Sequence, residues 1–97
     1  MVYATHITMK PSYSTSSYYS PEARLLEIDE IYLTGLAKAG WYPKDKVHDL
    51  VINGTTICVY ISPWPILIAA ISQNHEKYVR SAPNNSTQDN LLNLPRG

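Results

Sequence analysis

The chain has no phenylalanine, one cysteine, four glycines and few charged residues among its 97 positions. Each scarcity excludes something. A single cysteine, Cys58, cannot form a disulfide within the chain, so a small scaffold stapled by bridges is ruled out. Its setting, Ile57-Cys58-Val59-Tyr60-Ile61, is apolar, which suits a buried structural thiol better than a reactive one. Charged residues are only 16% of the total, too few for a long solvated helix or a charged disordered tail. Eight basic and eight acidic side chains cancel. General nucleic-acid binding or binding to an anionic membrane needs a basic excess, so neither is expected. The longest apolar stretch, residues 57–71, is interrupted by Ser62-Pro63-Trp64-Pro65 and is too short to span a bilayer. Residues 1–10 lack the basic start and apolar core of a signal peptide, so the expected compartment is the cytoplasm. On that expectation the sequons at Asn53 and at residues 84–87 are chance matches.

Familiar catalytic and metal patterns are also missing. There is no glycine-rich phosphate loop, no zinc-like Cys/His pair and no elbow around a nucleophilic serine. His6, His48 and His75 are far apart and not in ligand spacing. Glu27, Asp29 and Glu30 read as an exposed acidic edge. No metal and no cofactor are expected.

What is present suits one domain over residues 1–97. Residues 2–9 alternate as a strand, and the Tyr3, Ile7 and Met9 side is the better candidate for the core. Residues 11–21 are Ser, Thr and Tyr between two prolines, a loop without apolar periodicity. Tyrosine offers rigid amphipathic contact area and serine adaptable hydrogen bonds, so Tyr13, Tyr18 and Tyr19 are candidate recognition residues. Residues 22–34 are ambiguous. Ser20-Pro21-Glu22 is a good helix start, yet Ile31-Tyr32-Leu33-Thr34 favours a strand. Residues 35–41 read as a linker. From Pro43 to Gly54, Val47, Leu50 and Val51 form one stripe of a short amphipathic helix, with Asn53-Gly54 as its stop. Residues 55–62 and 65–72 are apolar runs whose spacing suits a hairpin. Residues 77–81 suit a last strand, and residues 82–97 form a turn-rich tail.

The end of the chain carries the most specific pattern: Lys77-Tyr78-Val79-Arg80-Ser81, a gap, then Asp89-Asn90-Leu91-Leu92-Asn93-Leu94-Pro95. It resembles a family of small bacterial and phage domains of unknown function. Their mark is Tyr-x-Arg-Thr followed by Asp-Asn-Leu-Leu-x-Leu-Pro. Ser81 replaces the usual threonine, and Asn84 stands where the family usually has aspartate. The resemblance implies the same order of strands and helix but no established activity.

Two readings of the tail follow. In the first, Arg80 pairs with Asp89, Asn90 caps the turn, and Leu91, Leu92 and Leu94 pin the tail to the core as a structural clasp. In the second, Lys77, Arg80 and Ser81 form a small anion site. The expected fold is α+β: a small antiparallel sheet of four or five strands, one short helix and a clasped C-terminal tail. Strands apolar on both faces suggest a homo-oligomer. The expected function is a small non-catalytic binding module of bacterial or phage origin that blocks a protein partner or sequesters a small anionic ligand, as in phage counter-defence. Its candidate contacts are the three loop tyrosines, Trp41, Trp64, Lys77, Arg80 and Ser81. The alternative is a small enzyme acting on a phosphate ester, with Arg80 on the anion and His75 or His48 as base.

Overall fold

A computed structural model describes residues 1–10, 21–62, 64–82 and 90–97, with the backbone alone for 21–23. The loop tyrosines Tyr13, Tyr18 and Tyr19, and Asp89 of the clasp, lie outside the described residues. The fold is α+β. Its elements are β1 (Val2–Met9), α1 (Pro21–Leu26), β2 (Ile28–Thr34), β3 (Gly40–Pro43), α2 (Lys44–Ile52), β4 (Ile57–Val59), β5 (Leu67–Ile71), β6 (Lys77–Ser81) and a 3-10 helix, Asn90–Asn93.

The strands form two sheets, where the sequence suggested one antiparallel sheet. The larger has the order β3-β2-β1-β4, and the smaller is the pair β5-β6. β4 lies parallel to β1, with Val2 opposite Ile57 and Ala4 opposite Val59. A parallel neighbour needs a long crossover, and β2, β3 and α2 supply it. The expected hairpin between residues 55–62 and 65–72 does not form: the runs meet only at the Cys58–Ile66 bridge. Pro65 has no N–H to give, although its carbonyl accepts from Val59 N at 2.8 Å. Trp64 sits at φ 64°, which turns the chain away. β5 therefore pairs with β6 instead, from Leu67–Ser81 to Ile71–Lys77.

The ambiguity at residues 22–34 resolves into both alternatives, α1 followed by β2. The expected linker at residues 35–41 ends in an edge strand, so Trp41 stands on β3 opposite Tyr32.

β1 corrects the expected core face. The pairing with β2 shifts between Ala4 and His6, leaving Thr5 as an extra residue. Such a bulge reverses the alternation. Val2 and Ala4 face the core before it and Ile7 faces the core after it, while Tyr3 is only half-buried. The core packs these residues with Ile31, Leu33, Ile57 and Val59 against Val47, Leu67, Val79, Leu91, Leu92 and Leu94.

α2 starts directly after Pro43 and buries Val47, with Leu50 and Val51 packed partly beneath it. Its end is a Schellman motif: Gly54 N bonds Val51 O at 3.1 Å and Thr55 N bonds Leu50 O at 2.9 Å. Gly54 stands at φ +101°, which a side chain would resist.

The tail returns to β1 beyond the end of β4. Ile7 N donates to Pro95 O and Gly97 N donates to Ile7 O, both at 3.0 Å. Arg96 Nη1 donates to Leu92 O at 3.0 Å and Leu94 O at 2.8 Å.

Candidate functional site

Two surfaces stand out. The first is a polar cleft of about 470 Å³ where the ends of β1 and β2, the start of α2 and the β5–β6 turn converge. Lys10, Asp29, Lys44, Asp45, His75, Glu76 and Lys77 line it. Its centre is Lys44, whose side chain is 8% exposed and whose Nζ lies 2.7 Å from Glu76 Oε2. Lys10 Nζ approaches the same oxygen at 3.6 Å.

The β5–β6 turn aims Glu76. Ser72 is buried, and its Oγ accepts from Asn74 N at 3.2 Å and Glu76 N at 3.1 Å. Ser72 N donates back to Glu76 O at 3.0 Å. His75, between them, is at φ 65°, a left-handed conformation that costs a non-glycine residue energy. The turn is thus tied tightly around the carboxylate that reaches Lys44.

The electrostatics are uneven. Burial pushes the Lys44 ammonium below the usual lysine value, and Lys10 adds to that effect. Lys10 is raised, chiefly by its hydrogen bond to Lys44. The hydrogen bond from Lys44, helped by Lys10, holds Glu76 below the ordinary carboxylate value. Lys44 also begins α2, where the positive end of the helix dipole opposes a cation. At the rim, Lys77 Nζ donates to Asp49 Oδ1 at 2.9 Å and holds that carboxyl down.

The second surface is the face of the larger sheet turned away from the core. Tyr3, Tyr60 and Trp64 form one edge-to-face cluster, with centroids 5.5, 5.6 and 4.7 Å apart. His6, Tyr32 and Trp41 form a row across β1, β2 and β3, at 6.3 and 5.3 Å. These spacings are those of attractive ring pairs. Trp41 is 39% exposed, Trp64 44% and Tyr60 54%. Gly97 lies so close to the Trp41 indole that a Cβ there would overlap the ring.

The structure therefore brings Trp41 and Trp64 onto one face. It does not bring Lys77, Arg80 and Ser81 together. Ser81 is buried and its Oγ accepts from Asn90 N at 3.2 Å, whereas Arg80 is exposed on the other side of β6. Leu91, Leu92 and Leu94 are buried in the core, and the buried Asn90 begins the 3-10 helix. His48 is buried with Nδ1 3.0 Å from Tyr78 O, its N–H donating to that carbonyl. Among the described residues no three His, Cys, Asp or Glu side chains cluster as a metal would require. No described helix is long and apolar enough to cross a membrane.

Sequence reasoning missed Lys10, Lys44 and Glu76, and the rings of Tyr3, Tyr32 and Tyr60. One local signal was available: a lysine directly after the proline that opens a helix opposes the dipole and needs a reason. Glu76 carried no such signal, because only the turn at Ser72 places it over Lys44.

Comparison with known proteins gives a family and no activity. Neither the curated proteins nor the solved structures include a match. A family model described as a protein of unknown function (DUF3892) matches residues 34–95, a stretch running from the end of β2 through the tail, and the chain belongs to that family.

Proposed function

We propose that this protein is a small non-catalytic binding module whose working surface is the ring-bearing sheet face. The observation that supports it is the exposure of Trp41 on β3 and of Tyr60 and Trp64 just past β4, beside Tyr3, His6 and Tyr32. Tyrosine and tryptophan dominate the energetic centres of protein interfaces, since they bury much area and lose few rotamers. The face bears no charged side chain in its ring clusters, which favours a protein surface over an anionic ligand there. A second copy of the chain is the partner most directly measured, and it fits the expected homo-oligomer. In the bacterial and phage setting that the resemblance implies, such a module would block a host protein. A prophage defence locus beside the gene would support that role.

The enzyme reading is weaker. Of its two candidate bases, His48 is buried and engaged with Tyr78 O, and His75 lines a cleft whose lining does not include Arg80, the residue meant to hold the anion.

Light scattering at micromolar concentration tests the proposal. The wild type should be a dimer or larger, and Tyr60→Ser/Trp64→Ser should be monomeric with unchanged circular dichroism. A monomeric wild type would remove self-association from the proposal. Turnover of a phosphate ester, rather than binding with the ligand recovered intact, would favour the enzyme.

A further inference from the structure

The cleft poses a separate question. Two lysines face one carboxylate, and one of those lysines is buried at the start of a helix. As packing alone this gains little, because the half-exposed Glu76 carboxylate is screened by solvent while Lys44 still bears the cost of burial. A desolvated lysine beside a second cation is, however, the recognised way to present a nucleophilic amine.

We propose that Lys44 is a covalent capture site for small 2-oxo acids, binding them as an imine in the cleft lined by Lys10, Asp29, Glu76 and His75. The Lys44 ammonium first gives one proton to solvent; the Nζ lone pair so freed adds to the ligand carbonyl carbon, and the C=O π pair moves to oxygen. The Glu76 carboxylate, 2.7 Å from Nζ, takes a proton from nitrogen and passes it to that oxygen, giving a carbinolamine. Loss of the hydroxyl with one further proton releases water and forms C=N. The balance is one amine and one ketone or aldehyde in, one imine and one water out. No oxidant or reductant is required.

The lining selects the ligand class. The Lys10 ammonium approaches the same Glu76 oxygen as the reacting amine and can hold a carboxylate adjacent to the carbonyl. Asp29 and Asp45 on the other walls oppose a multiply charged anion. A small monoanion therefore fits better than a phosphate ester. This site shares no residue with the ring face, so either reading stands without the other.

The test uses the full chain, glyoxylate as probe and sodium cyanoborohydride to reduce any imine, followed by intact mass and peptide mapping. One carboxymethyl group should appear on Lys44, several-fold ahead of the exposed Lys38, Lys46 and Lys77, and Lys44→Met should lose it. The wild-type map is decisive by itself, so the outcome does not depend on the variant folding. Label spread over the exposed lysines with Lys44 unmodified would overturn the proposal. The carboxylate anchor has its own arm. Lys10→Met should slow capture of glyoxylate more than capture of uncharged propanal, and equal slowing would overturn the choice of 2-oxo acids.

Discussion

Lys44 and Glu76 both link the stability of this protein to pH. Lys44 is depressed in the folded state, so the unfolded chain binds its proton more readily. That difference removes stability as pH falls through the interval from the ordinary lysine value, 10.5, to the folded one. Glu76 acts in the same sense, but in the acid range. Its folded value lies below the ordinary 4.5, so its contribution is present above 4.5 and is lost as pH falls through the folded value. Asp49 adds a smaller loss over the same acid range, screened by its exposure. Glu76→Gln leaves Lys44 buried without its counter-charge. Breaking a fully buried pair costs about 3–5 kcal/mol. Glu76 is 41% exposed and solvent screens it, so about 1–2 kcal/mol is the expected loss at pH 7. Urea denaturation at neutral and acid pH reads this directly. The gap between wild type and variant should close once wild-type Glu76 is protonated, and a gap independent of pH would show that the carboxylate is not stabilising. Beyond the lysine after Pro43, none of this was legible in the sequence, because Lys10, Lys44 and Glu76 are far apart in the chain and meet only through the sheet edge and the turn at Ser72. Trp41 and Trp64 were legible as candidates because two tryptophans in a small chain stand out. Their shared face was not.

Among the elements, legibility follows how local the deciding physics is. α2 lies within a residue or two of its expectation, since Pro43, the Val47-Leu50-Val51 stripe and Asn53-Gly54 are all local signals. β1 and β6 were also legible as strands. The core face of β1 was not, because the bulge at Thr5 is decided by pairing with β2. The hairpin failed for a related reason: two apolar runs at hairpin spacing have other partners available, and β1 and β6 took them. The best-determined element end is that of α2. Gly54→Ala places a Cβ at φ +101° with no steric neighbour, so its cost is backbone strain alone. A loss of about 1 kcal/mol is expected from the left-handed penalty. Chemical denaturation checks it, and no change would mean that the helix end relaxes without the Schellman geometry.

At the scale of the whole molecule, the tail closes the structure. Leu91, Leu92 and Leu94 fill the space between β1 and β6, and Pro95 and Gly97 extend the larger sheet along the β1 edge. The sequence signalled this through a leucine-rich run just before the end. It did not show that Arg96 would grip the Leu92 and Leu94 carbonyls. Two variants measure the two parts. Leu92 is 3% exposed, and truncating a buried leucine typically costs about 2–5 kcal/mol through lost transfer energy and an unfilled cavity. Arg96 is an exposed residue whose two charge-assisted bonds are only partly buried, so Arg96→Ala should cost about 1.5 kcal/mol, the lower end for hydrogen bonds of this type. A domain of this size holds roughly 5–10 kcal/mol in total. Leu92→Ala should therefore remove a large share of it, and Arg96→Ala a small one. Arg80→Ala belongs in the same series. If Arg80 supports the tail through Asp89, its removal should lower the denaturation midpoint as Arg96→Ala does. If Arg80 instead contacts a ligand, the midpoint should stay at the wild-type value while binding is lost. Equal midpoints for Leu92→Ala and wild type would mean that the tail is not part of the cooperative unit, and the closure described above would fail with it.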